Sequence, residues 1–243
     1  GWRGSWILAA ASLGCFTLPL LLVLLSQERT PQSLAATQTS AGLGGRHWRR
    51  DEAMRHWLIW ALLPGILAPS FMITALFFHQ VHIADVKGWA LADYVTVYPL
   101  YSGVAVACNL FAGQAIDRYG SARLLPYLLF PMAVGLAIYG TFDGFWVAWI
   151  GLSVIAITQG CSHSVLGSIW AEYYGTANLG SIRSLVIAFT VAASALGPGV
   201  TGWLIDVDID IETQCIAMAV YLVVVSGFLY FVRRAAEFLR YPG

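Results

Sequence analysis

The chain has 243 residues, 58% of them hydrophobic and 11% charged, with a formal net charge of zero. A soluble domain of this size carries about 25% charged residues, so the composition excludes a globule solvated by water on all sides and points to lipid. Zero net charge singles out no partner and no nucleic-acid partner is expected; the placement of the charges carries the information.

A helix needs about 20 apolar residues to cross the hydrocarbon core. Seven segments qualify, near 5–25, 57–79, 92–114, 124–142, 145–168, 183–204 and 213–233. Strand-length alternation is missing, which argues against a membrane barrel. The expected fold class is therefore an all-α integral membrane protein with seven transmembrane helices. Eleven of the thirteen basic residues fall in one set of connections: Arg29, Arg46, Arg49, Arg50, Arg55, Arg118, Arg123, Arg183, Arg233, Arg234 and Arg240. Arg3 and Lys87 fall in the other. The positive-inside rule places the first set in the cytoplasm, so the chain is expected to start outside and end inside, in a cell membrane. Trp57, Trp89, Trp146 and Trp203, near segment ends, read as interfacial anchors. Cys15, Cys108, Cys161 and Cys215 have no metal or redox spacing and read as small apolar fillers. The acidic outer loop Asp206, Asp208, Asp210 and Glu212 reads as a solvated loop rather than a cation site.

Residues 26–56 form the one long connection. Its first part is rich in Ser, Thr, Gln, Ala and Gly, a flexible composition. Residues 46–56 are basic, carry Trp48 and Met54, and are expected along the inner membrane surface. Segments 124–142 and 213–233 are apolar nearly all round, as is 5–25, and are expected to face lipid. Segments 57–79, 92–114, 145–168 and 183–204 carry polar stripes or glycine-rich faces and are expected to face protein or water. Every third span, counted from the end, is the lipid-facing kind, which is the pattern of stacked three-helix units. The chain opens at Gly1 with neither an initiator Met nor a signal-peptide pattern, so it reads as the remainder of a longer protein.

Residues 113–123 read Gly-Gln-Ala-Ile-Asp-Arg-Tyr-Gly-Ser-Ala-Arg. Gly113 permits close helix approach and Gly120 a tight turn. Asp117 can accept hydrogen bonds from a helix N-terminus. Arg118 and Arg123 can pair with carboxylates or lipid phosphates. The stretch resembles the G-x-x-x-D-R-x-G-x-[RK]-[RK] loop of the major facilitator superfamily, with Ala122 departing from the pattern and Arg123 keeping it. Gly1-Trp2-Arg3, residues 77–89, residues 170–183 and Gly197-Pro198-Gly199 also resemble stretches of that superfamily. The resemblance implies that the chain holds helices six to twelve: 1–25 as the last helix of an N-terminal bundle, 26–56 as a cytoplasmic linker, 57–236 as the C-terminal six-helix bundle and 237–243 as a cytoplasmic tail. The remaining N-terminal half would be a partner. By the same resemblance, Gly113, Asp117, Arg118, Gly120, Arg123, Glu172 and Arg183 would be gating residues. Asp117 would close the inward gate, and Glu172 and Arg183 would join Arg118 in a charge network.

Polar residues inside spans are costly in lipid and usually face a cavity or another helix. Tyr94, Tyr98, Tyr101 and Asn109 follow helical spacing on one face, and Gln159 and His163 stand four apart on another. With the cavity position the resemblance implies, Gln159, His163, Asn109, Tyr101 and Tyr98 are the expected substrate contacts. Pro64, Pro69 and Pro198 mark possible hinges or static kinks. No catalytic residue, metal ligand or cofactor is expected: motifs such as H-E-x-x-H and G-x-S-x-G are missing, and Ser162, His163 and Ser164 point in different directions on a helix. The expected function is gradient-driven transport of a small solute across the bilayer by alternating access. The alternative is a seven-transmembrane receptor or sensor, prompted by Asp117-Arg118-Tyr119.

Overall fold

The computed structural model describes residues 2–26 and 40–240. The linker residues 27–39, with Arg29, and the tail beyond 240 lie outside the described residues. Two compact units are present, Gly1–Thr39 and Ser40–Gly243. In the first, α1 runs through Trp2–Ser12, a π-helical turn at Leu13–Thr17, and Leu18–Leu25. Its stretch Arg3–Val23 is long and apolar enough to cross a membrane.

Every regular element described in the second unit is helical: α2 (Arg50–Arg55), α3 (Trp57–Phe78), α4 (Gln80–Val86), α5 (Leu91–Val95), α6 (Tyr98–Tyr119), α7 (Ser121–Leu128), α8 (Phe130–Thr141), α9 (Trp146–Tyr174), α10 (Leu179–Asp206) and α11 (Ile211–Arg240), with one 3-10 turn at Leu43–Gly45. Six membrane-length stretches result: α3, α5–α6, α7–α8, α9, α10 and α11. They coincide with the six later segments read from sequence. Several run further, as α9 does to Tyr174.

The strongest pairings are α6 with α9, α3 with α10, and α8 with α11; α8 also packs on α9, and α3 on α11. If α3, α6 and α8 form one three-helix unit and α9, α10 and α11 the other, exchanging the units turns the α3–α10 pairing into α9–α6. It turns α8–α9 into α11–α3 and leaves α8–α11 as itself. The repeat read from polarity is thus a repeat in packing. Glycines make the two equivalent crossings close. A Cβ on Gly160 would overlap the Ala105 carbonyl oxygen, and one on Gly197 the Phe71 carbonyl oxygen.

The all-apolar spans are not simply lipid-facing. The α7–α8 stretch buries Leu125, Leu129, Met132, Leu136 and Tyr139, and α11 buries Leu222, Val225 and Leu229. On the other face of α11, Val220, Val224 and Phe231 stay exposed. Each such helix has one face for the bundle and one left over. The break between α7 and α8 is closed by Thr158 of α9. Its hydroxyl accepts from the Met132 N–H at 3.0 Å and donates to the Leu128 carbonyl at 2.8 Å, which gives both backbone groups a partner in a solvent that offers none.

The arginine-rich end is closed by residues 40–56. The Trp48 N–H donates to the Tyr174 carbonyl (3.1 Å) and the Thr176 N–H to the Ser40 carbonyl (3.2 Å), while Asn178 Nδ2 donates to the Trp48 carbonyl (3.0 Å). Arg46 lies over the Trp48 ring at 3.9 Å, and His56 Nδ1 meets the Tyr174 hydroxyl at 3.3 Å. Burial, then the Arg46 charge, pushes the His56 pKa below its ordinary value. Residues 46–56 therefore dock on the turn between α9 and α10.

At the opposite end, Lys87 holds three turns together. Its buried ammonium donates to the Phe142 carbonyl (2.9 Å), to Asp143 Oδ1 (2.8 Å) and to Glu212 Oε1. Burial acts to lower the Lys87 pKa, but the two carboxylates outweigh it and the net shift is upward. The Lys87 hydrogen bond holds Asp143 below the usual carboxylate range. The acidic loop is thus partly engaged: Glu212 binds Lys87, and Asp210 Oδ1 accepts the Thr213 N–H (2.6 Å) at the start of α11. Lys87→Met is expected to lower the Tm of the full-length protein in detergent by about 5 °C, and Asp143→Asn, whose side chain is largely exposed, by less. A wild-type Tm for Lys87→Met would show that the three turns are held by other contacts.

Candidate functional site

The glycine-flanked loop lies at the arginine-rich end, where α6 gives way to α7. Gly120 turns the chain at φ +81°, ψ 149°, a region essentially reserved for glycine. The carboxylate that caps α7 comes from Glu172 on α9. Its Oε2 accepts from the Ser121 hydroxyl (2.6 Å) and the Ala122 N–H (3.1 Å), where the helix dipole favours negative charge. Asp117 is exposed and has no hydrogen-bond or ion-pair partner among the described residues. Arg118 extends over the Tyr119 ring at 5.4 Å. Arg123, Glu172 and Glu237 share a polar cavity of 400 Å³ with Tyr119 and Tyr173. Gly113 has open space where a side chain would stand.

A second cavity, 320 Å³, opens between α3, α9 and α10. Gln159 and His163 both line it, on successive turns of α9. Ser70 of α3 and Thr190 of α10 face it as well, joined by a Ser70 hydroxyl to Thr190 carbonyl bond of 3.4 Å. Thr74 meets Ser194 at 3.0 Å between the same two helices. Arg183 also lines this cavity. A Cβ on Gly167 would lie 3.6 Å from its Nη2. Arg183 and Glu172 therefore stand in different cavities. Sequence reasoning grouped Arg183 with the inner loops; the missed signal is that Arg183, Ile187, Thr190 and Val191 fall on one helical face of α10.

The remaining candidates sit elsewhere. Asn109 accepts from the Ser164 hydroxyl at 3.3 Å and ties α6 to α9. The Tyr98 hydroxyl donates to Gln80 Oε1, and Tyr98 and Tyr101 both pack edge-on to Phe77, at 5.5 and 5.3 Å between centroids. Neither Asn109 nor these tyrosines line the cavity that holds Gln159 and His163. A larger cavity of 770 Å³ lies between α3, α10 and α11, but no charged residue lines it and its walls are mainly Leu, Met, Val and Ala. It suits hydrocarbon better than a polar solute.

Six membrane-length helices in two equivalent triplets, with a cleft of mixed polar and apolar walls between them and charged helix ends at one side, mark a polytopic membrane protein. A sequence model of the Major Facilitator Superfamily matches residues 82–240, and the chain belongs to that superfamily of membrane transporters. Uncharacterized proteins of Mycobacterium tuberculosis and Mycobacterium bovis are 26% identical to it over 208 residues, covering 82% of this chain and 49% of theirs. The chain thus spans about half the length of the curated relatives it matches. The comparisons give the receptor alternative no support.

The two glycines of the motif, Gly113 inside α6 and Gly120 at its end, have different constraints. Gly120→Ala is expected to cost about 1–3 kcal/mol of stability, because its φ is positive and a Cβ would meet the Glu172 carboxylate at 3.4 Å. Gly113→Ala is expected to leave the stability of this bundle unchanged. Denaturant unfolding of the two variants compares them, and equal losses would mean the turn is not the reason for Gly120.

Proposed function

We propose that the full-length protein moves a small solute across the cell membrane by alternating access, driven by a solute or ion gradient. The observation that carries this reading is the cleft between α3, α9 and α10, which brings Gln159 and His163 together with Ser70 and Thr190. Such a position, at the junction of helices from two repeated units, is where secondary transporters hold their solutes. The chain has no nucleotide-binding loop and no constellation for covalent chemistry, so its role is transport rather than catalysis. Tyr98, Tyr101 and Asn109 contribute by setting the faces of α6 and only secondarily, if the cleft widens, by touching the solute.

The gate is the arginine-rich end. Gly113, Asp117 and Arg118 in the last turns of α6, Gly120 at the turn and Arg123 in α7 present a charged helix junction beside the Glu172 cap, with Arg183 at the neighbouring cleft mouth. Asp117 and Arg118 have no carboxylate or cation partner among the described residues, which leaves them available to a second bundle. α5–α6 and α10 bury the fewest positions of the six stretches, and Gly103, Gly113, Gly180 and Gly199 on them meet open space. These faces suit an N-terminal helical bundle, in keeping with relatives about twice as long. On this reading residues 1–25 are the last helix of that bundle, 26–56 the linker, 57–236 the C-terminal bundle and 237–243 the tail. The arginine excess supports a cytoplasmic gate and C-terminus.

The test separates gate from cleft. With a transported solute found by uptake screening of the full-length protein in proteoliposomes, Asp117→Ala is expected to slow turnover about tenfold with apparent affinity nearly unchanged. Gln159→Ala and His163→Ala are expected to shift affinity or coupling instead. Unchanged turnover in Asp117→Ala counts against the gate, and wild-type kinetics in both cleft variants counts against the cleft.

A further inference from the structure

The charge lining of the cleft is one-sided. Among the described residues Arg183 is its only full-time charge, and no Asp or Glu lines it. Among the described residues Arg183 makes no hydrogen bond or ion pair. Arg183 is exposed where it lines the cleft, so a ligand entering the cleft can reach it. It is also the side chain best shaped to grip a carboxylate with two parallel hydrogen bonds.

The surroundings leave room for such a ligand. Gly167 stands where α9 passes the guanidinium, and a Cβ there would lie in ordinary contact with Nη2 at 3.6 Å. From Gly167, the positions His163 and Gln159 climb α9 one turn at a time. The rise along α9 from Gly167, beside the guanidinium, to Gln159 is about 12 Å. Between these ends the walls are Trp170, Leu166 and Ile187. A cavity of 320 Å³ lies at the small end of the range for ligand sites, about 300–1,000 Å³.

We propose that this cleft binds a small organic monoanion. Its carboxylate sits on Arg183, its apolar or aromatic body lies along Trp170, Leu166 and Ile187, and a hydrogen-bonding group at its far end reaches His163 and Gln159. This rests on the cleft being the solute site and adds the charge class of the solute. It also gives Arg183 a ligand of its own, where the family resemblance gives it only a place in the gate.

The test uses the full-length protein in membranes, with Cys15, Cys108, Cys161 and Cys215 replaced by Ser and Ile187→Cys introduced on the cleft wall. Labelling of the new thiol by N-ethylmaleimide is timed in the presence of benzoate, benzamide or benzamidine, which share a shape and carry negative, zero and positive charge. Benzoate is expected to protect at concentrations about tenfold or more below those needed for benzamide, with benzamidine weakest. Arg183→Gln should erase the advantage of benzoate. Arg183→Lys, which keeps the charge, should retain part of it and guards against a folding defect. Equal protection by benzoate and benzamide, or a benzoate advantage that survives in Arg183→Gln, overturns the anion site while leaving the cleft as a solute site. No protection by any of the three overturns the anion site too, and if Gln159→Ala and His163→Ala also transport normally, the cleft reading falls with it.

Discussion

Two glycine contacts set the distances on which the bundle depends. Gly160 lets α9 press against the backbone of α6 at Ala105, and Gly197 lets α10 press against α3 at Phe71. In lipid, helices gain nothing from hiding apolar surface, so close packing and hydrogen bonds between helices must hold them. The two contacts are equivalents under exchange of the three-helix units. With them fixed, the remaining space between α3, α9 and α10 is the cleft. The Thr74–Ser194 hydrogen bond then fixes the rotation of α3 against α10, and with it which side chains face the cleft.

The two ends of the bundle are held by different chemistry. At one end a single buried ammonium joins the turns after α4, after α8 and before α11 through one carbonyl and two carboxylates. Such a cluster is costly to open, because losing the carboxylates would leave the buried Lys87 ammonium unpaired. At the other end the contacts are distributed: the Glu172 cap on α7, the left-handed turn at Gly120, and residues 40–56 laid across the α9–α10 turn. Each is modest, near the scale of one cap or one neutral hydrogen bond, about 1 kcal/mol. An end held by many small contacts can change partners more readily than one held by a single buried charge cluster.

The sequence made the spans legible because a membrane helix needs a long apolar run, and length is hard to counterfeit. The triplet repeat was legible for a similar reason, since polarity around a helix reports what surrounds it. The loop at 113–123 was legible as a motif, but its partners were not. Asp117 has the chemistry to cap a helix, yet the cap on α7 comes from Glu172, a residue far away in sequence that α9 delivers to the spot. Periodicity placed Gln159 and His163 on one face, and they do share a cavity. It also grouped Tyr98, Tyr101 and Asn109 as cavity contacts, whereas Phe77, Gln80 and Ser164 receive them. Helical spacing tells which residues share a side, not which neighbour lies on that side. Arg183 was misleading for a related reason: its place near the end of a span suggests loop electrostatics, but the first turn of α10 directs it along Gly167.

The claim that organises the rest is that the face of α10 bearing Arg183 and Thr190 looks into a water-filled cleft, whereas the face bearing Leu196 looks into the apolar cavity between α3, α10 and α11. Both faces carry exposed aliphatic residues, so exposure in the structure does not choose between them; Val191 and Leu196 are exposed to nearly the same extent, 62% and 60%. The direct measurement is the reaction of a charged methanethiosulfonate reagent with single cysteines at these two positions. The full-length protein would be in open membrane fragments, where the reagent reaches both sides. The account expects Val191→Cys to react rapidly and Leu196→Cys to stay protected. Rapid reaction at Leu196→Cys with an inert Val191→Cys would place water on the wrong side of α10 and contradict the account.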